Sequence, residues 1–327
     1  MKRGMWSKLR NFKFSCYIIA ILCTIPVPYI ASSGITAITV LLLMYVSMSV
    51  SYNLLAGYLG DLSFGHATFF GIGAYTVALL THYQVCYFQP VNILFGGILA
   101  MGFAAVIGYP FLRLKGLYFA IGTLGLSQIF RVLFKNSDFT LRSHGINIPV
   151  PLPYSIHPYY YAIVALTFGI IVAADRIVNS RLGLAFVSIR DDPDAARMVG
   201  INVTAYRILG FCISALGVGI VGGFFAYFNS YVHPEGVFSL DISFEMLLMV
   251  FFGGAGTILG PIVGAVIVLL VEEIGRAFIR QGYLLLLSLM LMVVFLVMPG
   301  GVVGTLTKQT PFINPLAQLR RKRVGSA

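Results

Sequence analysis

The 327 residues are 58% hydrophobic and only 10% charged, with a mean hydropathy of +0.91 and a formal net charge of +11. Soluble domains carry roughly 25% charged residues, so the composition excludes an ordinary soluble enzyme or binding domain. The basic excess also argues against nucleic acid as a partner, because it sits in clusters at 2–13, 176–207 and 308–323 with no aromatic-interleaved basic face.

In chain order, Lys2, Arg3, Lys8, Arg10 and Lys13 precede an apolar run that ends in small Ala31-Ser32-Ser33. That order resembles a signal peptide, but a second run follows at once, so residues 14–30 read as an uncleaved first span. Runs close to the roughly 20 residues that cross a bilayer as a helix then occupy 35–56, 62–81, 91–112, 117–134, 159–174 and 205–228. A broken pair follows at 244–252 and 261–271, and a last span at 283–298. The runs are continuous rather than alternating, which excludes a transmembrane β-barrel. The fold class is therefore an all-α polytopic membrane protein. Residues 1–327 form a single membrane domain, since nothing outside the spans is long enough to bury a core of its own.

Orientation follows from charge. With the N-terminal cluster cytoplasmic, Arg113 and Lys115 fall inside after four crossings, and Arg176, Arg181, Arg190, Arg197 and Arg207 after six. The links 81–90 and 229–241, which contain no Lys or Arg, fall outside. Lys308, Arg320, Arg321, Lys322 and Arg323 put the C-terminus inside too, which requires an even number of crossings. About ten transmembrane helices result if the broken pair crosses twice; the alternative is about eight plus a re-entrant hairpin. Residues 1–13 and 305–327 become basic cytoplasmic tails, and 175–204 a cytoplasmic loop. The external link 135–158, rich in Pro and His, is a candidate contact for something outside.

Residues 53–75 are the first stretch that carries chemistry. Gly57, Gly60, Gly65, Gly71 and Gly73 interrupt the apolar pattern there, among Asn53, Asp61, Ser63 and His66. Glycine at membrane depth either lets helices approach closely or breaks one where it lines a cavity. Polar side chains at that depth often mark a pathway, and the alternative is that these sit at the water interface or bond to nearby backbone. On the helix of 114–135, Gln128 and Arg131 share a face, with Arg131 near the outer end and able to snorkel to water.

Within the polar insertion 180–202, one short helix has both ends marked. Asp192 suits the N-cap and Pro193 the first helical position; Asp194 lies at the positive end of the dipole, and Gly200 suits the left-handed stop. So short a helix is marginal alone in water. Small Ala195 and Ala196 would let another protein come close, although a partnerless surface helix fits the same spacing. Downstream, Gly253, Gly254, Gly256, Gly260 and Gly264 form a glycine-rich turn lacking the Lys-Ser/Thr of a phosphate loop. Gly256, Gly260 and Gly264 fall four apart, as do Gly219 and Gly223 on the preceding span, which is the spacing for close helix packing, with a gate or subunit contact as the alternative. Glu272 and Glu273 fit a pair with Arg276 on an interfacial helix. Cys16, Cys23, Cys86 and Cys212 are too scattered for a zinc site or disulfide framework, and no hydrolase motif is present, so no catalytic or metal-binding residue is expected.

Together, residues 53–75, 112–128 and 180–264 resemble the LivM-like permease subunits of bacterial branched-chain amino-acid ABC importers. The most specific part is Asp194-Ala195-Ala196, with Gly200-Ile201-Asn202 behind it, followed by a span and the Gly253–Pro261 turn. The resemblance implies that the loop helix docks into a groove on a cytoplasmic ATPase. It makes Arg190, Asp191, Asp192, Pro193, Asp194, Ala195, Ala196, Arg197 and Gly200 the coupling residues; Asp194 departs from the Glu common in such loops but keeps the charge. It further implies a second, LivH-like permease subunit, two ATPase subunits that carry ATP and Mg, an extracytoplasmic substrate-binding protein, and a bacterial inner membrane. No cofactor is expected on this chain. Cargo would pass between the two permeases near Asn53, Ser63, His66 and Gln128. Three rivals stand beside this reading: a permease for urea or short amides, an ion-coupled transporter using Asp61 or His66 as proton site, and a membrane scaffold.

Overall fold

In a computed structural model the described residues are 26–30, 32–85, 88–114, 116–149 and 155–279, with isolated positions at 289, 292 and 301–303. The expected span at 14–30 lies outside them except for its last turn. The expected span at 283–298, both tails, Lys115 and the cysteines at 16, 23 and 86 also lie outside.

Besides single helical turns at Val27–Ile30 and Pro234–Val237, ten longer helices organise the described chain. They are α1 (Ser33–Asn53, continued as a π-helix over Leu54–Leu59), α2 (His66–His82), α3 (Gln89–Phe111), α4 (Leu117–Asn136), α5 (His157–Val178), α6 (Arg181–Asp191), α7 (Pro193–Met198), α8 (Val203–Asn229), α9 (Leu240–Gly253) and α10 (Leu259–Ile279). Among the described residues, six helical stretches are long and apolar enough to cross a membrane: Ser33–Leu59, Gln89–Phe111, Leu117–Asn136, His157–Val178, Val203–Asn229 and Pro234–Gly253. The protein is all-α and polytopic.

The span expected from residue 62 begins instead at His66. Gly60 ends the π-helix in the left-handed conformation, at φ 87°, and the chain runs irregularly to Gly65. The polar insertion holds a second helix ahead of the short one. In α6, Ser180 Oγ caps the first turn by accepting from the Leu182 N–H at 3.1 Å, and Ala185, Phe186 and Ile189 are buried at helical spacing. The dense charges of this stretch hide that apolar stripe. The broken pair is longer than its apolar runs, with α9 of 14 residues and α10 of 21 joined by a turn at 254–258.

α8 is the central helix, packed along α1, α2 and α3. Its small residues set the spacing. A Cβ on Gly219 would lie 2.5 Å from the Ala100 Cβ, and one on Gly222 only 2.1 Å from the Phe70 carbonyl oxygen. The inner part of α1, residues 46–59, is buried on every side. Its serines bond outward to neighbouring helices, Ser47 to the Thr167 hydroxyl at 2.9 Å and Ser49 to the Pro261 carbonyl at 3.2 Å.

The loops gather at two ends. Loop 60–65, the α6–α7 segment and turn 254–258 meet at one, where Arg190 reaches Gly57 and Asn53 reaches Gly256. At the other, β1 (Ile146–Asn147) pairs antiparallel with β2 (Tyr231–Val232), and Lys135 forms an ion pair with Glu235 at 2.5 Å. The first end also carries Arg176, Arg181, Arg197 and Arg207, so it is the basic end.

Candidate functional site

The cap on α7 forms as the residue order predicts. Asp192 is extended, at φ −158°, and its Oδ1 accepts from the N–H groups of Asp194 at 2.9 Å and Ala195 at 3.0 Å. Arg197 pairs with Asp194 at 2.7 Å, one turn apart and on the exposed face. Gly200 turns left-handed, at φ 85°, and Asn202 caps α8 by accepting from the Ala205 N–H at 3.1 Å. An Asp192→Ala change should cost the loop helix about 1 kcal/mol, so that it opens roughly fivefold more often. Limited trypsin cleavage at Arg197 in detergent reads this directly; an unchanged rate would remove the cap from the account.

The two alanines part company. Ala195 is exposed, but Ala196 is 3% exposed and belongs to this chain's own core. Close approach by another protein through Ala196 is therefore corrected: in a six-residue helix lying on a surface, one face must serve the body it lies on. The outward face ends in Met198, 90% exposed, and Val199, 76% exposed. Neither was singled out by sequence. Two bare apolar side chains on a charged loop were the available signal.

Behind α7, Arg190 turns back toward the bundle. Its Nη1 donates to the Gly57 carbonyl at 2.7 Å, and its Nη2 lies 3.7 Å from Asp191. Asn53 holds the glycine turn at two points, with Nδ2 donating to the Thr257 carbonyl at 2.8 Å and Oδ1 accepting from the Gly256 N–H at 3.0 Å. The Thr257 hydroxyl donates to the Gly254 carbonyl at 2.9 Å and accepts from the Gly260 N–H at 3.0 Å, which closes the turn onto α10. Asp61 and Arg207 lie 3.3 Å apart as an ion pair, mostly buried and without a hydrogen bond between them. Burial pushes the Asp61 carboxyl above the ordinary range, and Arg207 opposes that with the smaller effect.

Ser63 is fully buried, its carbonyl accepting from the Tyr52 hydroxyl at 3.0 Å. His66 is also fully buried; its Nε2 lies 2.9 Å from Ser214 Oγ, and Tyr52, Phe69 and Phe211 surround its ring. Gln128 sits on α4 beside Ser127, whose hydroxyl meets Thr68 at 3.2 Å, and its Nε2 is enclosed with no hydrogen-bond partner among the described residues. None of these residues lines the cavity of about 610 Å³ at the opposite end, whose walls include Gln89, Ile93, Tyr159, Leu166, Phe224 and Tyr227.

Of the glycines, Gly253 and Gly264 make the closest approaches between α9 and α10. An added Cβ would stand 1.6 Å from the Gly260 oxygen in the first case and 1.8 Å from the Met249 oxygen in the second. Gly223 packs against Val77 and Ile93. Glu272, expected on an interfacial helix, is instead 1% exposed and accepts from the Tyr45 hydroxyl at 3.0 Å. The Arg276 side chain, its expected partner, lies outside the described residues. Glu245 on α9, also buried, was not anticipated, though a carboxylate in an apolar run is itself a signal.

A family model described as "Branched-chain amino acid transport system / permease component" matches residues 34–296. The chain is 30% identical over 320 residues to the high-affinity branched-chain amino acid transport system permease protein LivM of Salmonella typhimurium, covering 88% of this chain and 74% of that one. It is 30% identical over 312 residues to LivM of Escherichia coli, covering 86% and 73%. Against the permease protein LivH of Escherichia coli it is 23% identical over 291 residues, covering 80% and 91%. No solved structure matches.

Proposed function

This chain belongs to the branched-chain amino acid transport system / permease component family, and on that premise we propose that it is the LivM-like half of an ABC importer for branched-chain amino acids. It is a multi-pass membrane permease. Its partners are a LivH-like second permease, two ATPase subunits that bind ATP and Mg, and an extracytoplasmic binding protein. Its site is the bacterial inner membrane.

The observation that carries the reading is α7, a capped helix at the basic end that leaves Met198 and Val199 bare. An apolar pair held out on a charged loop favours a protein partner. ATP binding closes the ATPase pair; α7 on each permease follows, and the spans rock between inward and outward access. Cargo arrives already selected by the binding protein, so a weak internal site suffices, and the scattered Asn53, Ser63, His66 and Gln128 are compatible with that.

Ten crossings with both termini cytoplasmic agree best with the alternation of loops between the two ends. α2 and α10 add to those six spans, and the apolar runs of the sequence at 14–30 and 283–298 complete the set. An added Cβ on Gly301 would lie 2.5 Å from the Gly254 nitrogen, which supports a chain that has returned to the basic end by residue 301.

The test is leucine uptake into proteoliposomes holding all four kinds of subunit. Uptake should require ATP and binding protein, and be competed by isoleucine and valine but not by urea. Uptake driven by a proton gradient through this chain alone would overturn the proposal in favour of an ion-coupled carrier.

A further inference from the structure

We infer that Arg190 is the positioning residue through which movement of α7 reaches the bundle, by way of the π-helical stretch of α1 and the glycine turn between α9 and α10. The inference rests on the importer reading above and adds to it a route.

Arg190 lies on the last turn of α6, two residues before the Asp192 cap. A basic residue there would be expected to face solvent or the ATPase. Its side chain stays 38% exposed, while its Nη1 donates to the Gly57 carbonyl at 2.7 Å. That carbonyl has no helical acceptor role left to play, because Gly60 ends the π-helix and the carbonyls of a last turn lack successors. A cation at this C-terminal end also meets the negative end of the helix dipole. π-helical stretches recur at functional sites.

The surrounding backbone is shaped to admit this side chain. A Cβ on Gly60 would lie 2.7 Å from Arg190 Cγ, and one on Gly256 would lie 2.6 Å from Arg190 Nη1. A Cβ on Gly57 would lie 1.9 Å from Asn53 Oδ1 and 2.4 Å from the Gly256 nitrogen. Three glycines from two distant parts of the chain thus leave room for one arginine and one asparagine. Asn53 in turn grips Gly256 and Thr257. Arg190 is tied to α7 through the chain at Asp191 and the Asp192 cap, and from its guanidinium contacts run to Gly57, to Asn53 and into the α9–α10 turn.

A merely structural cap would cost stability without altering the yield of transport per ATP. Contiguity alone does not establish coupling, which needs non-additivity between the members. The experiment is therefore a cycle of Arg190→Gln, Asn53→Ala and the double variant in the complete reconstituted complex, reading leucine moved per ATP hydrolysed. Arg190→Gln is expected to lower that ratio tenfold or more. Arg190→Lys, which keeps the charge and a donor, should recover part of it, and the double variant should be no worse than Arg190→Gln. An unchanged ratio, or uptake and hydrolysis falling in step with thermal stability, would reduce Arg190 to a cap and overturn the inference. If Arg190→Gln fails to assemble, Arg190→Lys and Asn53→Ala carry the same ratio test. A wild-type complex without ATP-dependent uptake would instead overturn the importer reading, and this inference with it.

Discussion

Replacing Met198 and Val199 together by glutamate should abolish ATP-driven leucine uptake, by at least about a hundredfold, while the protein stays folded in the membrane. Both side chains are largely bare in the isolated chain, so the change removes little internal contact. If they are buried against an ATPase, each contributes roughly 1.5–3 kcal/mol on burial. Two carboxylates left without partners in that contact cost several kcal/mol more, and each 1.4 kcal/mol is about tenfold in affinity. Co-purification of the ATPase subunits and binding-protein-stimulated ATP hydrolysis should therefore fall together. Intact uptake would remove this face from the mechanism. Ala196→Arg should also stop transport, but by another physical route: it forces a charge into this chain's own core and unseats α7. Thermal scans in detergent separate the two, since only Ala196→Arg should lower the midpoint of the isolated chain.

Gly253→Ala and Gly264→Ala should each destabilise the protein severely, while Gly102→Ala should be harmless. The first two would place a methyl 1.6 Å and 1.8 Å from backbone oxygens, where no side-chain rotation gives relief, so α9 and α10 must part. Overpacking on that scale costs about 3 kcal/mol or more, which corresponds to roughly 5–10 °C in the thermal midpoint of a chain this size. Gly102 meets nothing within 4 Å and lies within α3, where alanine gains up to about 1 kcal/mol in helix propensity. Thermal scans of the detergent-solubilised protein distinguish the cases. A common response at all three positions would mean that helix propensity, and not the α9–α10 contact, governs the glycines.

Much of this was written in local pattern. Uncharged runs marked most of the described spans to within a few residues, α10 excepted, because a helix in lipid must satisfy its own backbone. Asp192, Pro193 and Gly200 marked the ends of α7 because capping is decided by side chains only two or three residues away. Long-range partners were not legible in the same way. Nothing around Arg190 says that its guanidinium turns inward, since the carbonyl it meets belongs to residue 57. Asn53 looked like a pathway residue by depth and polarity, yet its amide is occupied on both sides by a turn more than 200 positions away. Ala196 differs from Ala195 only in which side of a short helix faces the bundle, and spacing cannot choose between them until the helix is seated.

The most direct measurement is labelling of a single cysteine at Met198→Cys with a membrane-impermeant maleimide, with the unsubstituted chain as the blank. In inverted membrane vesicles that lack the ATPase subunits the residue should react quickly, and adding those subunits should protect it. In right-side-out vesicles it should stay unlabelled. Reaction from the outer face, or equal reaction with and without the ATPases, would contradict the claim that work enters this permease through α7.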